Sequence, residues 1–104
     1  MKATDNKCPA EFTLTMIGGR WKIPIIFHLL GGSKRFTELA RALKGVPQKM
    51  LTQQLREMER NGLVARKVFA QVPPKVEYSL TNFGVSLRSV LDAMCQWGEE
   101  DGPR

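Results

Sequence analysis

Apolar residues recur along the chain at helical spacing, switch once to strict alternation, and then return to helical spacing. Phe12, Met16 and Ile17 share one side of a helix that starts at Cys8-Pro9 and stops at Gly18-Gly19. Proline at the first helical position loses nothing, because that N–H has no partner within a helix anyway. A second helix opens near Arg20, and Pro24 requires that it lie in the first turn. Trp21, Ile23, Ile25, Ile26, Phe27, Leu29 and Leu30 leave almost no polar face, which predicts a helix buried inside the domain. Gly31-Gly32 stops it, and Ser33-Lys34-Arg35 is a short link with room for one small strand.

Phe36, Leu39, Ala40 and Leu43 fall at spacings of three and four and predict a third helix. Lys44-Gly45-Val46 is a tight connection, after which Pro47 restarts a helix that runs to Asn61-Gly62. Two helices joined by a short glycine-containing turn define a helix-turn-helix over 36–62. Val64 to Phe69 is rich in β-formers, and Val76, Tyr78 and Leu80 alternate with Glu77 and Ser79. The segment between them holds Pro73-Pro74, which excludes a tight primed turn and predicts a broad loop. Two strands with a basic loop directly after a helix-turn-helix describe a wing over 63–80. Thr81 caps a last long helix to about Trp97-Gly98, striped by Phe83, Leu87, Val90, Leu91, Met94 and Trp97. The fold class is therefore mainly α with a small β-wing, a winged helix-turn-helix of order H-H-H-H-β-β-H.

The chain has 104 residues, enough for one domain spanning 1–104 with a single core. Hydrophobic residues are 42% and charged residues 25%, ordinary for a globular chain, so disorder throughout is not expected. No apolar run reaches the roughly 18 residues of a membrane helix. The polar start Met1–Lys7 leads into no signal core, so secretion is not expected and the protein should be cytoplasmic. The net charge of +6 is concentrated in the middle. Residues 20–67 carry eleven bases against Glu38, Glu57 and Glu59, whereas 68–104 is net acidic. A basic middle points to a surface for a polyanion.

The fourth helix carries the candidate chemistry. Leu51, Leu55 and Met58 form an inward face, while Lys49, Gln53, Arg56 and Arg60 lie on another side, with Gln48 and Thr52 beside them. Arginine and lysine reach guanine O6 and N7, and glutamine bonds bidentately to adenine. Threonine can donate to phosphate or touch a thymine methyl. Arg35, before the third helix, and Lys75, in the loop, are phosphate candidates. Lys34, Arg66 and Lys67 are weaker ones. The candidate DNA contacts are thus Arg35, Gln48, Lys49, Thr52, Gln53, Arg56 and Lys75.

The run Cys8-Pro9, Gly18-Gly19-Arg20-Trp21-Lys22, Arg35-Phe36-Thr37-Glu38-Leu39 resembles the HxlR family of bacterial transcription regulators. So do Lys49-Met50-Leu51-Thr52-Gln53-Gln54-Leu55-Arg56, Asn61-Gly62-Leu63-Val64, Pro73-Pro74-Lys75-Val76-Glu77-Tyr78-Ser79-Leu80-Thr81 and Gly84. The resemblance covers residues 8 to 98. It implies a winged helix-turn-helix related to MarR-type regulators, a homodimer on an inverted-repeat operator, and dimerisation through the first and last helices, 8–18 and 81–98. Pro47 departs from the serine that relatives often carry at the start of the recognition helix, so a hydroxyl contact is missing there.

An apolar surplus on the last helix independently points to a partner site. Phe83 and Leu87 are assigned inward; Leu91, Met94 and Trp97 face the partner, with Phe12 from the first helix. Cys8 sits at a helix N-terminus beside Lys7, an environment that favours thiolate. The resemblance also implies that some relatives sense oxidants or electrophiles through a cysteine at this position; a capping residue with no sensing role is the alternative. Cys95 is assigned to packing, with an intersubunit Cys8–Cys95 disulfide left open. A small-molecule effector between the wing domain and the dimer helices also stays open. His28 is read as a core or edge histidine. One histidine and two distant cysteines make no zinc set. With no phosphate loop, nucleophile elbow or acid–base pair, neither an enzyme, a cofactor nor a metal is expected. The competing reading is a winged-helix interaction module whose basic face binds an acidic protein or RNA.

Overall fold

A computed structural model describes residues 8–103. Helix α1 (Pro9–Ile17) has Cys8 as its extended N-cap, and the Glu11 carboxylate accepts the Cys8 backbone N–H at 3.4 Å. Helix α2 (Lys22–Leu30) takes Pro24 in its first turn, as its third residue. Strand β1 (Lys34–Arg35) fills the link and leads directly into α3 (Phe36–Ala42). There the Glu38 carboxylate accepts the Arg35 N–H at 2.8 Å and caps the first turn. A turn through Gly45, with φ +85, connects α3 to α4 (Gln48–Arg60). Strands β2 (Val64–Phe69) and β3 (Lys75–Leu80) follow, then α5 (Asn82–Val85) and α6 (Arg88–Asp101).

The sheet is antiparallel with order β1-β3-β2. Lys34 faces Tyr78 and Arg35 faces Glu77, while β2 pairs with β3 from Val64↔Leu80 to Phe69↔Lys75. Val64 is buried, but Ala65 to Val68 are exposed, so β2 runs off the core and the hairpin projects as the wing. The wing loop is the five-residue stretch 70–74.

The core lies where α2, α3, α4 and α6 converge. Ile25, Ile26, Leu39, Leu51, Leu55, Met58, Leu63 and Leu91 are its most deeply buried side chains. Burying a leucine or isoleucine contributes about 1.5–3 kcal/mol.

The C-terminal segment departs from the expected single helix. It is broken between Val85 and Arg88, and the Ser86 hydroxyl donates to the Phe83 carbonyl within the break. The break re-phases the apolar stripe. Leu87 points inward as expected, but Phe83 is exposed rather than inward. Leu91, assigned to the partner side, is 1% exposed and belongs to the core. Cys95, assigned to packing, is exposed. No helix among the described residues is long and apolar enough to cross a membrane.

Candidate DNA-binding face

Helix α4 divides cleanly into two sides. Leu51, Leu55 and Met58 are buried, and this anchors the helix to the core. Gln48, Lys49, Gln53, Arg56 and Arg60 are exposed on the remaining surface. Gln53, Gln54, Arg56, Glu57 and Arg60 line one shallow groove along it. Thr52 is half-buried, and its hydroxyl donates to the Gln48 carbonyl at 3.0 Å. Its proton is therefore used within the helix, and only its methyl and lone pairs remain for an incoming group. Pro47 is the N-cap and supplies no side-chain acceptor. The first-turn N–H groups of α4 stay open, as phosphate binding at a helix N-terminus requires.

Two hollows, one between the start of α3 and the wing and one between α4 and the wing, gather residues that are far apart in sequence. One is lined by Arg35, Phe36 and Thr37 with Gln71, Pro74 and Lys75, so the two phosphate candidates lie on one hollow. The register Arg35↔Glu77 brings them there. Lys75 is nonetheless engaged within the wing. Its ammonium is 3.3 Å from the Glu77 carboxylate and 4.6 Å from the centre of the Phe69 ring. Lys67 approaches the same ring at 4.9 Å. A phosphate reaching Lys75 must compete with Glu77.

The second hollow lies between α4 and the wing base and is lined by Phe36, Thr52, Arg56, Glu59, Arg66 and Tyr78. It places Arg66, a weak candidate from sequence, beside Arg56. Only the β2–β3 pairing reveals this, since Arg66 faces Tyr78.

Helices α1 and α6 form an apolar groove of Ala10, Thr13, Leu14, Ile17, Val90 and Met94. Phe12 on α1 and Met94 and Trp97 on α6, the residues expected to face a partner, are exposed. Leu14, whose place in the sequence gives no sign of an interface role, is 63% exposed. Cys8 and Cys95 are both free and exposed. Lys7 lies outside the described residues. His28 is half-buried in the last turn of α2. Among the described residues, no group of three His, Cys, Asp or Glu side chains could hold a metal ion.

A helix-turn-helix with a projecting hairpin and a basic, glutamine-bearing outer helix face defines a winged-helix transcription regulator. The HxlR-like helix-turn-helix family matches residues 16–104, and the chain belongs to that family. It is 52% identical over 94 residues to the HTH-type transcriptional regulator YybR of Bacillus subtilis (strain 168), covering 90% of this chain and 75% of that one. Among solved structures it is similar to the redox regulator HypR in its reduced form, with a TM-score of 0.86 and 51% identity over 90% of this chain and 93% of that one. It is also similar to the reduced form of the transcriptional regulator YodB from B. subtilis, with a TM-score of 0.83 and 38% identity over 91% of this chain and 94% of that one. These relatives are transcription regulators and not enzymes, and so is this family.

Proposed function

We propose that the protein is a cytoplasmic homodimer that reads an inverted-repeat operator and responds to an oxidant or electrophile through Cys8. The observation that carries the DNA reading is the two-sided α4. Its buried leucines fix the helix, and the exposed Gln48, Lys49 and Gln53 present base-reading chemistry on its N-terminal half, with Arg56 about one turn beyond Gln53. Arg35, Arg66 and, in competition with Glu77, Lys75 supply phosphate contacts on either side. Thr52 contributes contact through its methyl group. The α1–α6 groove supports the dimer, with Phe12, Leu14, Met94 and Trp97 as its apolar contacts. Leu91 supports that surface only from beneath.

The redox reading rests on an exposed Cys8 at the N-cap of α1, one of the two helices assigned to the interface. Joining the Cys8 thiol to a second thiol, Cys95 of the partner subunit, as a disulfide releases two protons and two electrons, which the oxidant accepts. Of the similar structures, one is the redox regulator HypR in its reduced form and another is the reduced form of YodB, which supports the same chemistry here.

Competition binding separates the DNA reading from attraction to any polyanion. A labelled duplex carrying the preferred sequence should be displaced by the same duplex unlabelled, and far less by duplex RNA or polyglutamate. Equal displacement by all three would favour the interaction-module reading. Under a thiol oxidant such as diamide, binding should change in the wild type and stay constant in Cys8→Ser. A change of equal size in both proteins would remove Cys8 from the account.

A further inference from the structure

Lys22 is the buried charged side chain among the described residues, only 5% exposed. It opens α2, whose other inward residues, Ile25, Ile26 and Leu29, are all apolar. Its ammonium forms an ion pair with the Glu57 carboxylate on α4. Glu57 lies one residue after Arg56, four after Gln53 and three before Arg60. With them it lines the groove on the outer side of α4. It therefore sits on the border between the packed side of the helix and the side assigned to DNA.

Two physical consequences follow. Hydrophobic packing of Leu51, Leu55 and Met58 holds α4 against the core, but that force is non-directional and sets the helix rotation only through shape. The pair is half-buried, the Lys22 side chain being 7% and the Glu57 side chain 42% exposed; it is directional, and breaking it leaves the Lys22 ammonium desolvated, so it resists rotation of α4 about its own axis. The pair also neutralises a carboxylate that otherwise faces the same groove as Arg56 and Arg60.

We propose that the Lys22–Glu57 pair is a positioning lock that sets the rotation of α4, and that Lys22 determines base specificity without touching DNA. The inference rests on the DNA reading given above. It distinguishes the pair from an ordinary stabilising contact, because rotation of α4 redirects Gln53 and Arg56 while leaving the total positive charge of the face in place.

Glu57→Gln gives the cleanest test. Removing a negative charge beside DNA should, by electrostatics alone, raise affinity for every duplex by a common factor. Under the lock, affinity for a scrambled duplex holds or rises while the ratio of preferred to scrambled affinity falls about tenfold per half-site, the scale of one lost base contact, and so about a hundredfold on an inverted repeat. Glu57→Gln leaves Lys22 without its charged partner, so the double variant Lys22→Met/Glu57→Leu guards against simple unfolding. Apolar replacement of a buried charge together with its partner is often neutral or stabilising, and here the desolvated member is Lys22 while the half-exposed Glu57 has little burial to lose. This variant should unfold at a denaturant concentration close to the wild type and still lose the ratio. Variants that keep the wild-type ratio, or shift both duplexes equally, would overturn the lock alone. A wild type with no preferred duplex would overturn the DNA reading and the lock with it.

Discussion

Gly84→Ala should cost at least about 3 kcal/mol of folding stability, the top of the usual range for overpacked cores. A Cβ built on Gly84 would lie 2.2 Å from the Leu63 carbonyl oxygen, far inside contact distance, and 3.0 Å from the Leu80 side chain. The obstacle is backbone and cannot swing aside. Leu63 is held on both sides: its carbonyl accepts the Thr81 N–H at 3.0 Å, and its N–H donates to the Met58 carbonyl at 2.9 Å. Thr81 adds its hydroxyl to the same knot, donating to the Gly62 carbonyl and accepting the Gly84 N–H at 3.0 Å. Gly62 itself takes φ +77 to stop α4. The close approach at Gly84 thus ties the end of the recognition helix to the start of the C-terminal segment. Gly98→Ala is the control. It meets nothing within 4 Å and lies inside α6, so it should gain about 0.5–1 kcal/mol from helix propensity. Urea unfolding at fixed protein concentration measures both. A Gly84→Ala protein as stable as the wild type would show that this junction does not pack as described.

Arg56→Ala should weaken binding to the preferred duplex by about 1–3 kcal/mol per half-site and relax base preference there. A homodimer on an inverted repeat uses each contact twice, and separated positions add, so the total loss reaches about 2–6 kcal/mol. Gln53→Ala should behave the same way at a different base pair. Affinity for scrambled duplex should fall little with Gln53→Ala, because glutamine carries no charge. Lys49→Ala, if its partner is a phosphate, should instead weaken all duplexes alike and lower the salt slope by about 0.9 per contact. Fluorescence anisotropy over a salt series on both duplexes separates the two classes. Arg56→Ala that weakens preferred and scrambled duplexes by one common factor would reduce Arg56 to a phosphate contact.

The two-sided α4 was legible in the sequence because a surface helix writes its period into the chain: Leu51, Leu55 and Met58 on one side, Lys49, Gln53 and Arg56 on the other. The wing was legible from the switch to period two and the Pro73-Pro74 loop. What was not legible depends on phase or on distant pairing. The stripe on the last helix has the right spacing, but spacing cannot report the break at Ser86-Leu87, which exchanges the roles of Phe83 and Leu91. Strand β1 is two residues long and exists as pairing with Glu77 and Tyr78, some forty positions on. Lys22 reads as a polar residue at the start of an apolar helix. Its partner, Glu57, is 35 positions away, and no local pattern links them. The engagement of Lys75 by Glu77 and Phe69 could have been suspected only from their alternation on one strand face and across the hairpin.

Selection of bound duplexes from a random pool at near-physiological salt tests the central claim, that two copies of this face read one DNA sequence. The expected result is enrichment of an inverted repeat whose half-site centres lie roughly 34–36 Å apart, one turn of the double helix. A pool that yields no motif, with binding that simply collapses as salt rises, would contradict it.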